Sequence, residues 1–258
     1  MDEILLIDKP AGMTSFGVVA RVRRVLTEKA RAEAAMRGLT PPKRVKVGHT
    51  GTLDPFATGL LILMTGKKTR ECAGFLKLDK KYEATICLGK VSTTGDTEGK
   101  IRDTFFGIQT RPKMSYAGKR QEYTFSGSQV DNSSKSIPNF TDVAAVVKSF
   151  QGEITQRVPA YSAVKINGRR AYDLARKGIA TEMPERKVTI YDIEILSYEW
   201  PYLKIACHVS SGTYIRTLGE DIGRKLGVGG YLTELRRTAI GKYEVSQAKK
   251  LEELGIEN

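Results

Sequence analysis

Cysteine, histidine and acidic residues are all scarce in this chain, and each shortage removes a class of chemistry. The three cysteines, Cys72, Cys87 and Cys207, are far apart and odd in number, which leaves no disulfide framework and no paired C-x-x-C zinc site. They read as reduced core residues. The two histidines, His49 and His208, are too distant in sequence for an H-E-x-x-H helix or a C2H2 finger, so no metal is expected. Nucleotide-cradling loops are missing as well, since neither G-x-x-x-x-G-K-[ST] nor G-x-G-x-x-G occurs. Near the start the apolar run Ile4 to Ile7 stops at Asp8, too soon for a signal peptide or a membrane span. The cytoplasm is the expected compartment.

The shortage of acid leaves 42 Lys and Arg against 29 Asp and Glu, a formal net charge of +13. Such an excess favours polyanions, because each cation set near a phosphate releases a condensed counterion. A merely soluble basic protein is the alternative. Anionic membrane fits less well, since no basic amphipathic stretch carries a bulky aromatic face. With 40% hydrophobic residues over 258 positions the chain can bury a substantial core, which excludes wholesale disorder.

What is present reads as strands with interspersed helices and no clear linker, an α+β class without solenoid repeats. Ile4 to Ile7 is a short strand, and Asp8 to Ser15 is a turn leading into a helix N-cap. Val18, Val19, Val22, Val25 and Leu26 recur at helical spacing, with Arg21, Arg23 and Arg24 on the wet side. The polar stretch Glu28 to Arg37 could prolong that helix until Pro41-Pro42. The run Leu60 to Met64 suits a buried strand or a helix turn, and periodicity does not choose between them. Lys81 to Gly89 alternates, with Tyr82, Ala84, Ile86 and Leu88 on one face, so Tyr82 is expected to point inward from a strand.

Asp103 to Asn139 has little periodicity and reads as a mobile insertion. Thr141 is the expected N-cap of a helix carrying Val143, Val146, Val147 and Phe150 and ending at Gly152. Strands then run from Lys187 to Tyr198 and from Tyr202 to Val209. Leu203, Ile205, Cys207 and Val209 share one face of the second, and Lys204, Ala206 and His208 the other. After the turn at Ser211-Gly212, Leu218, Ile222 and Leu226 mark a helix stopped by Gly227.

The chemistry-bearing stretch is Gly48-His49-Thr50-Gly51-Thr52-Leu53-Asp54-Pro55-Phe56-Ala57-Thr58-Gly59, a constrained loop with one imidazole and one carboxylate. Alone, Asp54 before Pro55 reads as a turn former. The whole loop, however, resembles the catalytic motif of the TruB family of pseudouridine synthases, G-H-x-G-[TA]-L-D-P-x-A-x-G, at every specified position. The resemblance extends to Asp8-Lys9-Pro10-Ala11-Gly12-Met13-Thr14-Ser15, Lys81-Tyr82-Glu83-Ala84, Tyr161 to Tyr172, Gly212-Thr213-Tyr214-Ile215-Arg216 and Leu235-Arg236-Arg237. These blocks span nearly the whole chain.

The resemblance implies the pseudouridine synthase fold, a central mixed or antiparallel sheet with flanking helices. It implies isomerisation of one uridine in the T loop of tRNA, position 55, after that base is flipped from its stack. Asp54 would be the nucleophile, Arg216 would hold it ionised, and Tyr82 would stack on the base and serve in proton transfer. Tyr214 and Leu235 would line the uracil pocket, and His49 would fill the place the base leaves. Without the motifs, Arg216 reads as a solvated charge and Tyr82 as a core aromatic. No cofactor is expected, because breaking a glycosidic bond and forming a carbon–carbon bond involves no net redox change. Lys9, Lys43, Arg44, Lys46, Lys67, Lys68 and Arg70 flank the motifs and could track phosphates. The expectation is a monomer of one catalytic domain, 1–258, with an RNA-contacting insertion at 103–139, no separate C-terminal RNA-binding domain, no obligatory protein partner and no membrane contact. A guide-RNA-dependent enzyme and a non-catalytic RNA-binding protein are the rivals.

Overall fold

The computed structural model describes residues 2–104, 136–166, 168–179 and 181–256. In chain order its strands are β1 (Ile4–Lys9), β2 (Val47–His49), β3 (Thr58–Thr65), β4 (Lys80–Leu88), β5 (Lys90–Ser92), β6 (Ile101–Asp103), β7 (Gly152–Arg157), β8 (Lys165–Ile166), β9 (Arg169–Arg170), β10 (Glu185–Glu199), β11 (Tyr202–Val209), β12 (Gly230–Ile240) and β13 (Tyr243–Glu244). The helices are α1 (Ser15–Met36), α2 (Cys72–Leu76), α3 (Phe140–Lys148), α4 (Ala171–Arg176) and α5 (Ile215–Lys225). Most of the long insertion, 105–135, lies outside the described residues. Its first residue, Asp103, ends β6, and its last, Asn139, caps α3.

One mixed sheet runs in the order β1-β3-β12-β4-β11-β10-β7, with β2 added to β3 and β13 to β12. Among the described ladders of this sheet the short β12–β3 one is parallel and the others are antiparallel. The continuous apolar run Leu60 to Met64 is explained by its place in that order. Leu61 and Leu63 enter one hydrophobic cluster with Val18, Val19 and Val22 of α1, while Leu60 and Ile62 enter another with Ile240. A strand covered on both faces needs apolar residues at every position, so alternation vanishes.

β4 and β11 are the opposite case. Tyr82, Ala84, Ile86 and Leu88 share a core with Leu203, Ile205, Cys207 and Val209, covered by Leu218 and Ile222 of α5 and by Val143 and Val147 of α3. Here one face is apolar, and period two is legible. The start of α3 differs from expectation. Asn139, not Thr141, is the N-cap, its side chain accepting from the Asp142 amide at 2.9 Å. Asparagine caps at least as well as threonine, and the earlier start still turns Val143 and Val147 inward. The helix ends at Lys148, and Gly152, with φ of 107°, opens β7. No helix among the described residues is long and apolar enough to cross a membrane.

Candidate active site

The loop between β2 and β3 is tethered from three directions. From the segment that starts α1, the Ser15 hydroxyl donates to the Leu53 carbonyl at 2.9 Å and accepts from the Leu53 amide at 2.8 Å. From the end of β1, the Lys9 ammonium donates to the carbonyls of Pro10, Met13 and Pro55 at 2.8, 2.7 and 3.2 Å. From β12, the Arg237 guanidinium donates to the carbonyls of Leu60, Thr52 and Gly51 at 2.8, 3.3 and 3.2 Å. Lys9 and Arg237 are both fully buried, so Lys9 is no phosphate-tracking cation: its charge is spent inside, on backbone oxygens. Burial brings its pKa down to about 8, against the pull of Asp54. Gly59 lets β12 come close, since a Cβ there, at φ of 101°, would collide with the Arg237 carbonyl oxygen.

Asp54 projects from this clamped loop onto the first turn of α5, where Arg216 Nε meets its Oδ2 at 2.9 Å. The guanidinium is 5% exposed, and each of its nitrogens has a partner. Nη1 donates to the Thr94 carbonyl at 2.7 Å and faces Asp96 Oδ2 at 3.4 Å, while Nη2 donates to the Tyr161 carbonyl at 2.8 Å. Burial raises the Asp54 carboxyl above its usual range, Arg216 pulls it back, the Asp96 charge raises it and Lys9 lowers it. The result is a carboxylate more basic than a surface aspartate yet fixed in one orientation.

Two cavities meet at this ion pair. The inner one, about 310 Å³, is lined by Asp54, Arg216, Tyr82, Tyr214 and Leu235 among others. The outer one, about 750 Å³, also touches Asp54 and Arg216 and carries His49, Lys165, Arg170 and Arg176. Thus five of the six residues singled out in the sequence converge on the inner space. His49 lies on the outer side of the loop instead, its Nδ1 accepting from the Gly51 amide at 3.3 Å. Burial first, and Arg237 second, push its pKa down, which favours the neutral ring. Tyr82 is 9% exposed on β4, and burial raises its pKa while Arg237 opposes the rise. Tyr214 precedes α5, held by Gln156, whose side chain accepts from its amide at 3.0 Å and donates to its carbonyl at 3.2 Å. Leu235 pairs with Ala84 between β12 and β4.

Asp96 is a site residue that sequence reasoning missed. It lies in the turn Thr94-Gly95-Asp96, 2% exposed, where nothing local separates it from an ordinary turn acid. Only the long-range contact to Arg216 gives it meaning. Among the described residues no group of three or more His, Cys, Asp or Glu could hold a metal ion.

The sequence profile of the TruB family pseudouridylate synthase N-terminal domain matches residues 39–117 and 111–215, and that of the tRNA pseudouridylate synthase B C-terminal domain matches 216–256. The chain belongs to the TruB family of pseudouridylate synthases. Similar proteins include the tRNA pseudouridine synthase B of Aquifex aeolicus (strain VF5), 41% identical over 100% of this chain and 75% of that protein. Those of Clostridium kluyveri and Pseudomonas fluorescens are 39% and 40% identical, over 100% and 97% of this chain and 74% and 68% of theirs.

Among solved structures, a Cbf5-Nop10-Gar1 complex matches with a TM-score of 0.60 and 26% identity over 96% of this chain and 52% of that one. An H/ACA RNP bound to a substrate RNA containing 2′-deoxyuridine matches with a TM-score of 0.58 and 25% identity, over 99% and 56%. The chain therefore spans about half the length of these two solved chains. The fold is the expected one of TruB-type pseudouridine synthases, and the enzyme class is an isomerase. The boundary between the two profiles falls at Arg216, yet 216–256 is no appendage in this TruB-family protein: it supplies β12, hydrogen-bonded between β3 and β4.

Proposed function

We propose that this protein converts one uridine in the T loop of tRNA, position 55, to pseudouridine, with Asp54 as nucleophile on a flipped-out base. The observation that carries the reading is the ion pair of a buried Arg216 with a half-buried Asp54 at the wall shared by two cavities. A base extruded from a folded RNA enters the inner space, which has room for a pyrimidine ring to turn, while the strand it came from stays in the outer one. The names of the full-length relatives support tRNA as the substrate.

Within that pose Asp54 takes up the sugar as the glycosidic C–N bond breaks, and Arg216 keeps the carboxylate charged until then. The freed uracil turns between Tyr82 and Leu235, where exclusion of water stops the base from escaping. C5 then bonds to the sugar carbon as the carboxylate leaves, the C5 proton passes to solvent, and N1, freed from the sugar, takes up a proton in its place. A phenol held protonated by burial is first a stacking surface and a hydrogen-bond donor, so Tyr82 gives up a proton only when a partner takes it. His49 fills the gap in the RNA stack. The atoms balance without redox change, so the reaction needs no redox cofactor.

Purified protein should release tritium from C5-labelled T-loop uridine of an unmodified tRNA transcript with no metal, nucleotide or second RNA added. Asp54→Asn should bind the transcript and release none. Equal release by that variant would remove Asp54 from the chemistry, and release that requires a guide RNA would replace the stand-alone reading.

A further inference from the structure

We infer that the hydroxyl of Ser162 receives the ribose 2′-hydroxyl of the target nucleotide and makes the site selective for RNA over DNA. The inference rests on the reading of the Asp54 cavity as a uridine site. Among the described residues Ser162 Oγ is the buried side-chain polar atom without a hydrogen-bond partner, in a residue only 6% exposed. Buried polar groups are nearly always paired, and an alanine would fit the same backbone without that defect. The hydroxyl is unpaired although the chain around it is held firmly. The preceding carbonyl, of Tyr161, accepts from Arg216 at 2.8 Å, and the Ser162 carbonyl accepts from the Tyr172 amide at 3.1 Å. The catalytic arginine thus fixes the peptide that carries a hydroxyl with no protein partner.

Position says what that partner is. Ser162 lines both cavities, as Asp54 and Arg216 do. A nucleoside with its base in the inner space and its strand in the outer one must set its sugar at the wall between them. Phosphates, farther out, have Lys165, Arg170 and Arg176 to meet them; the uracil lies deeper. The group left for Ser162 is the 2′-hydroxyl, both donor and acceptor, and a serine hydroxyl offers the same pair of roles from a side chain that turns about one bond.

The test uses the full chain carrying Asp54→Asn throughout, to hold substrate without turnover. Equilibrium Kd is measured for T-arm RNAs that differ only in uridine or 2′-deoxyuridine at the target position, with and without Ser162→Ala. With Ser162 present the ribose form should bind roughly three- to tenfold tighter, the range of one net hydrogen bond. Ser162→Ala should bring the two Kd values together at the deoxy level, with the melting temperature of the free protein unchanged or higher. A ribose preference that survives Ser162→Ala, or an equal loss of affinity for both RNAs, would overturn the inference. So would the absence of any preference in the Ser162 protein. Failure of the underlying reading has a separate signature, namely no tritium release from T-loop uridine by the wild-type chain.

Discussion

Asp54 carries opposing demands, and they can be measured apart. Because burial raises its carboxyl, the folded protein holds that proton more tightly than the unfolded chain does. The stability this group contributes is therefore full below the unfolded pKa and falls as pH rises toward the raised folded value. On the proposed mechanism catalysis runs the other way, since Asp54 must be ionised to act as a nucleophile. We expect the acid limb of the pH profile of single-turnover rate to have its midpoint above about 4, the ordinary aspartate range. A midpoint at or below that value would mean that Arg216 outweighs burial. At neutral pH, Asp54→Asn should leave the urea midpoint unchanged or raised while abolishing turnover, because a strained charge is removed where Arg216 keeps its other acceptors. Arg216→Met should cost about 3–5 kcal/mol, since it strands Asp96 in a buried position; adding Asp96→Asn should recover part of the loss, and no recovery would deny the pair.

Asp96 also marks where sequence stops being informative. Asp54, Tyr82 and Arg216 stand in contiguous blocks whose neighbours identify them. Asp96 has no such block, and Lys9 has one, yet its charge reads as a surface cation. Its burial follows from three carbonyls that converge only in the folded chain.

At the scale of elements the same division holds. The alternation of β4 and β11 announces one buried face, and the stripe of α5 ends where Gly227, at φ of 74°, stops it. β3 is ambiguous in sequence because both its faces are covered. The α3 cap is misread because Asn139 and Thr141 are both competent acceptors two residues apart. How the elements grip the Asp54 loop was not legible at all, and it can be tested. Ser15→Ala leaves both the amide and the carbonyl of Leu53 unpaired in the interior, which should cost about 1–3 kcal/mol in urea denaturation. It should lower kcat more than it raises the Kd for tRNA, because the defect moves Asp54 and not the RNA surface. Gly59→Ala adds a left-handed residue to a collision with the β12 backbone, so a loss exceeding about 3 kcal/mol is expected. A mild effect would show that β12 and β3 can separate without harm.

The molecule as a whole carries a charge of +13, and its interior redistributes what that number means. Lys9, Arg216 and Arg237 are buried and serve backbone and carboxylates, so RNA must be met by cations at the rim. Lys165, Arg170 and Arg176 are all exposed there, and both arginines lie within 5.9 Å of the Tyr172 ring centre. That cluster joins charge to an aromatic plane at the mouth of the outer cavity, the combination that suits a strand passing with its bases unstacked. Replacing Lys165, Arg170 and Arg176 together by Gln should weaken tRNA binding and make log Kd depend less steeply on log salt, by roughly 0.7–0.9 for each phosphate that is no longer neutralised. The single-turnover rate at saturating RNA should stay near wild type, since none of the three touches the ion pair of Asp54 and Arg216. An unchanged salt slope would place the phosphate track elsewhere on the basic surface. A collapse of the saturated rate would mean that the rim shapes the inner cavity as well as steering RNA toward it.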